Sequence, residues 1–323
     1  MSQENRVIKI VLIGTHLYHP KKLALPIIFI HFRLKACKKP LSLLLMSVFL
    51  TALASGSNGN CYYVGNEQDA VLIDAGLSCR EIERRMARLQ LSMHKVRGVF
   101  VSHEHTDHIR GIEALVNRFS LPLYISQDTC QHARLKVAKA QRIYFNHHQT
   151  IAINDLSIVP FSKQHDAIDP YSFTVSCKDI TVGVFTDVGV ACENLIYHFK
   201  QCHAAFLEAN YDEEMLDNGS YPYHLKARIK GGKGHLSNRE ALELFNTHKH
   251  PQLSHLFLSH LSKNNNNPLL VQELFNTHSG GVKIIVASRY EETPLYRIDI
   301  ANTLAKLPST QPAKPQQMKL VFE

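Results

Sequence analysis

The chain has 323 residues, 45% of them hydrophobic and 20% charged, which is typical of a soluble globular protein, and its formal net charge is +8. Residues 1–45 carry eight of the 36 basic residues and one of the 28 acidic ones, so the rest of the chain is nearly neutral, and overall basicity does not indicate a nucleic-acid partner. Seven cysteines without a Cys-x-x-Cys pair argue against a disulfide framework and a zinc finger, and they predict reduced thiols in a cytoplasmic protein.

Residues 1–45 are predicted to be an N-terminal extension that precedes the folded domain. The stretch from Lys38 to Gly56 imitates a secretory signal, since two lysines, an apolar run and small residues follow one another. The run lies far from residue 1, however, and is too short to span a bilayer, so no membrane contact is expected. Met46 is therefore the predicted start, with residues 46–303 as one domain and residues 304–323 as a flexible tail rich in Pro and Gln.

Strands come first along this domain, and strands that alternate with helices follow. The predicted strands are 47–54, 61–64, 70–73, 99–102, 156–161, 172–176, 180–185, 204–207, 256–258 and 283–286. The predicted helices are 78–89, 108–119, 193–200, 238–248 and 268–278, the first of them with Ser78 as its N-cap. This order predicts an α/β (α+β) domain in which two mixed sheets pack face to face and are covered by helices.

The segment from His103 to His108, His-Glu-His-Thr-Asp-His, follows the apolar run 99–102 and holds several metal-capable side chains. A strand would direct His103 and His105 to one side, and the next turn would bring Asp107 and His108 to a second ion nearby. Imidazole and carboxylate ligands suit zinc first, with manganese or iron as alternatives. Two neighbouring ions form a clamp for hydrolysing a phosphodiester or an acyl bond. The alternative is a solvated polar loop that holds three histidines.

Three more metal-capable residues, His165, Asp187 and His260, come at or just after the ends of predicted strands. Protein sites tend to collect at one rim of a sheet, so this recurrence indicates a shared site. Any one of the three, taken alone, is equally explained as a capping or solvent-facing residue.

Together with the histidine-rich motif, these residues resemble the metallo-β-lactamase superfamily, a four-layered αββα fold, over nearly all of residues 46–300. The resemblance implies one metal ion held by His103, His105 and His165, a second held by Asp107, His108 and His260, and Asp187 bridging them. It also implies that Asp74 is a structural aspartate beneath the site, although an acid at a strand-to-turn junction is equally ordinary. Two cations would lower the pKa of a bridging water, and Asp107 would orient the resulting hydroxide.

Further segments resemble the YycJ-type branch of the superfamily, single-domain proteins related to ribonuclease Z and regarded as metal-dependent DNA exonucleases. These segments are 56–60, 208–212, 234–238 and 258–268. In ribonuclease Z a glutamate and a histidine relay a proton to the leaving oxygen, and the resemblance implies Glu208 and His235 for that role. A departing alkoxide needs a proton, and histidine titrates in the right range. The alternative is that His235 belongs to a turn that enters the helix 238–248.

The sequence therefore predicts a dinuclear metal-dependent phosphodiesterase, specifically an exonuclease acting on DNA with a role in repair or processing. We find neither a β-CASP-like insertion nor the long exosite arm of ribonuclease Z, which favours DNA over transfer RNA. The alternatives are a hydrolase of a small acyl, thioester or lactone substrate and a non-catalytic metal-binding regulatory protein. Arg228, Lys230 and Lys233 flank His235 as candidate phosphate contacts, or as a solvated surface.

Residues Gln317–Phe322 resemble the short Gln-x-x-Leu-x-Phe peptides that dock on bacterial sliding clamps. A flexible tether that presents two apolar anchors is a common recognition mode, so a sliding clamp is a predicted partner. The alternative is a frayed terminal strand.

Overall fold

The structure, a computed structural model, describes residues 47–299. The predicted extension, the start at Met46, the flexible tail and the clamp-binding segment lie outside these residues. The strands are β1 Ser47–Ala54, β2 Cys61–Gly65, β3 Ala70–Ile73, β4 Val96–Phe100, β5 Leu123–Ile125, β6 Arg142–Tyr144, β7 Ile151–Ile153, β8 Leu156–Ser162, β9 Tyr171–Cys177, β10 Ile180–Phe185, β11 Ala204–Glu208, β12 His255–Ser259, β13 Lys283–Val286 and β14 Tyr296–Asp299. The helices are α1 Cys79–Arg88, α2 Thr106–Ile109, α3 Ile112–Phe119, α4 Gln127–Ala133, α5 Glu193–Phe199, α6 Glu213–Asn218, α7 Tyr223–Lys230, α8 Asn238–His248 and α9 Pro268–Asn276.

The strands form two mixed sheets of the same design. The first has the order β14-β1-β2-β3-β4-β5-β6 and the second β13-β12-β11-β10-β9-β8-β7. In the first sheet β14 to β3 pair antiparallel and β3 to β6 pair parallel. In the second, β7 to β10 pair antiparallel and β10 to β13 pair parallel. Each sheet therefore has parallel strands whose carboxyl ends share one edge.

Three apolar layers hold the sheets and helices together. The inner faces of both sheets form the middle layer, which includes Leu50 of β1 and Phe206 of β11. The other face of the first sheet packs against α1, α3 and α4, and that of the second packs against α5, α8 and α9. Each fully buried Leu or Phe side chain stabilises the fold by about 1.5–3 kcal/mol. The predicted two-sheet αββα sandwich is confirmed.

Local features of the helices also follow the sequence. The Ser78 side chain accepts a hydrogen bond from Glu81 N, as predicted for an N-cap, and Glu81 forms an ion pair with Arg85 at 2.7 Å. The predicted single helix over 108–119 is wrong, because the structure has α2 and α3 separated near Gly111. A Cβ at Gly111 would lie 1.9 Å from Leu77 O, so the break lets the chain pass closely over the turn after β3.

Within residues 47–299, no helix is long and apolar enough to cross a membrane.

Candidate metal centre

The predicted site residues converge at the edge where strands of both sheets end. The motif His103–His108 follows β4 and continues into α2, and His165, Asp187 and His260 follow β8, β10 and β12. Three further predicted residues lie at the same edge: Asp74 after β3, Glu208 at the end of β11 and His235 shortly before α8. The structure therefore brings together all the residues predicted for the site.

Three ring nitrogens form one group. His103 Nε2 lies 3.0 Å from His105 Nδ1, and His165 Nε2 lies 3.4 Å from the same His105 nitrogen. The hydroxyl of Ser102 donates to Asp74 at 2.8 Å, so it accepts from His103 Nδ1 at 2.9 Å. His165 Nδ1 donates to Gly234 O at 3.1 Å. When the rings of His103 and His165 are neutral, the Nε2 atom of each therefore carries a lone pair, which is directed at the group.

Asp107, His108 and His260 form a second group. Asp107 Oδ2 lies 3.6 Å from His108 Nε2 and 3.6 Å from His260 Nε2. In this group carboxylates hold the ring nitrogens that point away from the site, since His108 Nδ1 donates to Asp74 at 2.7 Å and His260 Nδ1 lies 2.9 Å from Glu208 Oε1. Hydrogen bonds of this kind orient imidazoles toward a metal and fix their tautomer.

Asp187 lies between the two groups. Its Oδ2 is 3.1 Å from His108 Nε2, and its Oδ1 is 3.8 Å from His165 Nε2 and 3.4 Å from His260 Nδ1. Asp187 Oδ2 and His260 Nε2 are buried and have no hydrogen-bond partner. Buried polar atoms without partners are costly, and converging lone pairs repel one another, unless a cation lies among them. The donor set, nitrogen and carboxylate oxygen, fits a divalent transition metal.

The charges of the site shift the pKa values of its groups in opposite directions. Burial, followed by the nearby His108, holds the pKa of His103 well below its usual value, and burial lowers the pKa of His165 to about 4. Burial also opposes the charged form of His260, but Asp187 and Glu208 outweigh it and raise its pKa to about 10. Without a metal, protons are therefore held at the carboxylate-rich side of the site, where a divalent cation would displace them.

Three site residues have left-handed backbones, with φ of 63° at Asp74, 54° at Asp187 and 55° at His260. Such φ values are uncommon for residues other than glycine, and asparagine, aspartate and histidine tolerate them best. Asp74 and His260 come directly after a strand and Asp187 one residue later, so all three unusual backbones lie at the common edge. Strain of this kind is concentrated at functional sites.

Glu208 joins His235 to this cluster. Its Oε1 lies 2.8 Å from His235 Nδ1 and 2.9 Å from His260 Nδ1, while Oε2 accepts from Val188 N at 2.6 Å. Glu208 is fully buried, and its two histidine partners outweigh burial and lower its pKa to about 2. An ionised Glu208 thus holds the ring of His235, whose side chain is 16% exposed.

The sequence analysis missed several residues that shape the site. Asn60 Nδ2 lies 3.2 Å from Asp107 Oδ2 and 3.0 Å from His108 Nε2, although its segment was noted only as a turn and a branch feature. Lys163 is buried and donates to the carbonyl oxygen of Thr186, next to Asp187. Asp166, the residue after His165, forms an ion pair with Arg228, a candidate phosphate contact in the sequence, and so connects α7 to the site. One signal in the sequence indicated Asp166, which is its position directly after the predicted ligand His165, and none indicated Lys163.

Comparison with known proteins identifies the family. Residues 69–260 match the model of the β-lactamase superfamily domain. The chain belongs to this superfamily. Among curated superfamily relatives, exodeoxyribonuclease YycJ of Bacillus anthracis is 32% identical over 224 residues, which are 68% of this chain and 85% of the relative. Exodeoxyribonuclease WalJ of Streptococcus pneumoniae is 32% identical over 219 residues, 66% of this chain and 81% of the relative. Its membership of the superfamily and its similarity to these relatives together show that the chain is a metal-dependent hydrolase.

Solved structures of the superfamily share the fold. The metallo-β-lactamase fold protein YhfI of Bacillus subtilis superposes with a TM-score of 0.61 at 16% identity, over 79% of this chain and 99% of that one. The short form of human tRNase Z superposes with a TM-score of 0.53 at 14% identity, over 76% of this chain and 98% of that one. The predicted superfamily and its YycJ-type branch are confirmed.

Proposed function

We propose that this protein is a cytoplasmic dinuclear-metal exonuclease that hydrolyses phosphodiester bonds of DNA. The two similar proteins called exodeoxyribonucleases support the reaction and its substrate. The observation that carries the proposal is that Asp187 lies between two ligand groups, with the Glu208–His235 pair beside them. A role in DNA repair, the domain limits 46–303 and a sliding-clamp partner remain predictions from the sequence.

Seven residues hold the metal ions in this proposal. His103, His105 and His165 would hold one, Asp107, His108 and His260 would hold the other, and Asp187 would serve both. Zinc is the expected metal and manganese the alternative, because imidazole and carboxylate donors suit both. Such ions, when bound, supply Lewis acidity and lower the pKa of water so that a nucleophile is available near neutral pH.

The chain's own groups then move the protons. The carboxylate of Asp107, which Asn60 Nδ2 contacts at 3.2 Å, orients the attacking water and accepts its proton. His235 donates its Nδ1–H to the ionised Glu208 at 2.8 Å, and in the imidazolium form its Nε2 carries a second proton. Donation of that proton to the departing oxygen leaves His235 as the neutral ring. A correctly placed general acid or base accelerates such a step by about 10²–10⁴-fold.

Purified protein incubated with DNA oligonucleotides tests the activity. We expect stepwise release of mononucleotides when zinc or manganese is added, and 5′-phosphorylated and 5′-hydroxyl substrates will show the preferred end. If no metal supports cleavage, the nuclease proposal is wrong. Hydrolysis of a thioester or lactone in the same preparation would then favour a small-molecule substrate.

Removal of the metal is expected to abolish hydrolysis and to lower the thermal midpoint. A ligand present at about 1,000 times its dissociation constant stabilises the folded state by about 4 kcal/mol. For a domain of this size that corresponds to a midpoint shift of roughly 8–16 °C. Differential scanning calorimetry before and after chelation, and again after zinc is restored, measures the shift. An unchanged midpoint would show that the cluster holds no metal.

Asp74→Asn is expected to weaken metal binding by about 10–100-fold, because Asp74 orients His108 and Ser102. Asparagine tolerates the left-handed backbone at this position, so the effect reports the lost carboxylate. Asp69→Asn is a matched control, since Asp69 is also a buried acid but precedes β3 and pairs with Arg97. Zinc affinity, measured by competition with a chromogenic chelator, should fall for Asp74→Asn alone.

A further inference from the structure

A cavity of about 310 Å³ adjoins the metal centre and is not used by the mechanism proposed above. Ser55, which lines the cavity, accepts a hydrogen bond from His260 N at 2.8 Å, and Leu261 in its wall directly follows His260. The cavity and the candidate metal centre therefore share the chain segment at the end of β12. A ligand in this cavity would lie beside the hydrolytic site.

Among residues 47–299, no carboxylate forms an ion pair with the positive charge in this cavity. Arg289, in its wall, is half-buried and donates to Leu261 O at 2.7 Å and to Asn58 Oδ1 at 3.5 Å. Lys263 also lines the cavity, and no aspartate or glutamate of the described part of the chain does. The nearby Glu292 is paired with Arg88. Burial lowers the pKa of Arg289, which reflects the cost of a half-buried charge without a carboxylate partner. An anion that enters the cavity would offset this cost.

The remaining walls suit a flat apolar group. The side chains of Leu261, Pro268, Val286 and Ala287 form the apolar lining. Tyr290 lies beside it with 66% of its surface exposed, and its carbonyl oxygen accepts from Arg85 Nη2 at 2.7 Å, which anchors the loop. Aromatic rings and apolar walls next to cations are the usual means of binding the bases and phosphates of single-stranded nucleic acid.

We propose that this cavity is a subsite for one nucleotide of a single-stranded DNA substrate. The base lies against Tyr290 and the apolar wall, and a phosphate lies near Arg289 and Lys263. The proposal rests on the nuclease function proposed above and extends it, because it predicts that strands long enough to reach the subsite bind more tightly than short esters.

Tyr290→Ala tests the subsite, because its exposed side chain contributes little to folding. We expect its dissociation constant for hydrolysis-resistant, fluorescein-labelled oligo(dT) to rise about fivefold or more, the loss typical of one stacked base. Turnover of bis(p-nitrophenyl) phosphate, which has no further nucleotide to place in the subsite, should not change. Tyr197→Ala is the matched control, since Tyr197 is 62% exposed but lies on α5, away from the cavity.

Lys263→Gln gives an independent readout. It is expected to make the negative slope of log affinity against log salt concentration shallower by about 0.7, the value for one phosphate contact on a single strand. Lys200→Gln, an exposed lysine after α5, should leave the slope unchanged. Fluorescence anisotropy at several salt concentrations measures both variants.

The outcomes separate the subsite from the nuclease function. If wild-type protein binds and cleaves DNA and Tyr290→Ala binds oligo(dT) as tightly as Tyr197→Ala does, the subsite is refuted and the nuclease proposal stands. If wild-type protein neither binds nor cleaves DNA but hydrolyses bis(p-nitrophenyl) phosphate, the nuclease proposal fails and the subsite fails with it.

Discussion

Asp187→Asn is expected to reduce DNA hydrolysis by about 10³-fold or more and to lower the bound metal content. The carboxylate of Asp187 lies between the two ligand groups, 3.8 Å from His165 Nε2 of the first and 3.1 Å from His108 Nε2 of the second. A metal ion contributes several kcal/mol of transition-state stabilisation, and about 4 kcal/mol corresponds to the expected loss. Asparagine has nearly the same shape and tolerates the φ of 54°, so the change is mainly one of charge.

The control for this variant lies at the other end of β10. Asp179→Asn, at the exposed turn before β10, changes an acid at the opposite end of that strand and should leave activity and metal content intact. His108 and His260 lower the pKa of Asp187 well below its usual value despite burial, so its ionised form stabilises the metal-free fold at neutral pH. Circular dichroism must therefore show that Asp187→Asn is folded at the assay temperature. A folded variant with full metal content and full activity would contradict the proposed ligand set.

The local part of the site was predictable because its chemistry is contiguous in sequence. The motif His103–His108 carries its ligand types within one strand end and one short helix. His165, Asp187 and His260 were found by a different signal, since each comes at or just after an apolar run that forms a buried strand. Strand ends gather at one edge of a sheet, so the sequence predicted their proximity without specifying any contact.

The contacts that orient the ligands were not predictable, because they join distant segments. Asn60 reaches Asp107 across 47 positions, and His165 Nδ1 bonds to Gly234 O across 69 positions. Nothing in the sequence around Asn60 or around Gly234 indicates that these residues contact the site. They become visible only when both sheets are assembled.

The secondary-structure elements that we missed are short or depend on distant partners. β5, β6 and β7 have three residues each, too few for a two-residue alternation to be recognised. β14 pairs with β1 from the far end of the described chain, with Ile298 opposite Val48. α6 and α7 are short helices in a segment rich in charged residues, where helical periodicity is weak.

His235→Ala is expected to slow DNA cleavage by about 10²–10⁴-fold while metal content stays unchanged. His235 belongs to neither ligand group proposed here, and its Nδ1 bonds to the buried Glu208 at 2.8 Å, so the variant removes a proton donor and leaves the proposed ligands in place. The alkoxide that leaves DNA is a strong base and needs a proton. The p-nitrophenolate that leaves bis(p-nitrophenyl) phosphate is stable and does not.

The ratio of the two activities therefore distinguishes proton donation from a structural role. A general acid predicts a large loss on DNA and little loss on bis(p-nitrophenyl) phosphate, whereas a distorted site predicts similar losses on both. Glu208→Gln should resemble His235→Ala on DNA and should also weaken metal binding, since Glu208 Oε1 lies 2.9 Å from His260 Nδ1. If His235→Ala slows both substrates equally at full metal occupancy, His235 is not the proton donor, because only DNA has a leaving group that requires one.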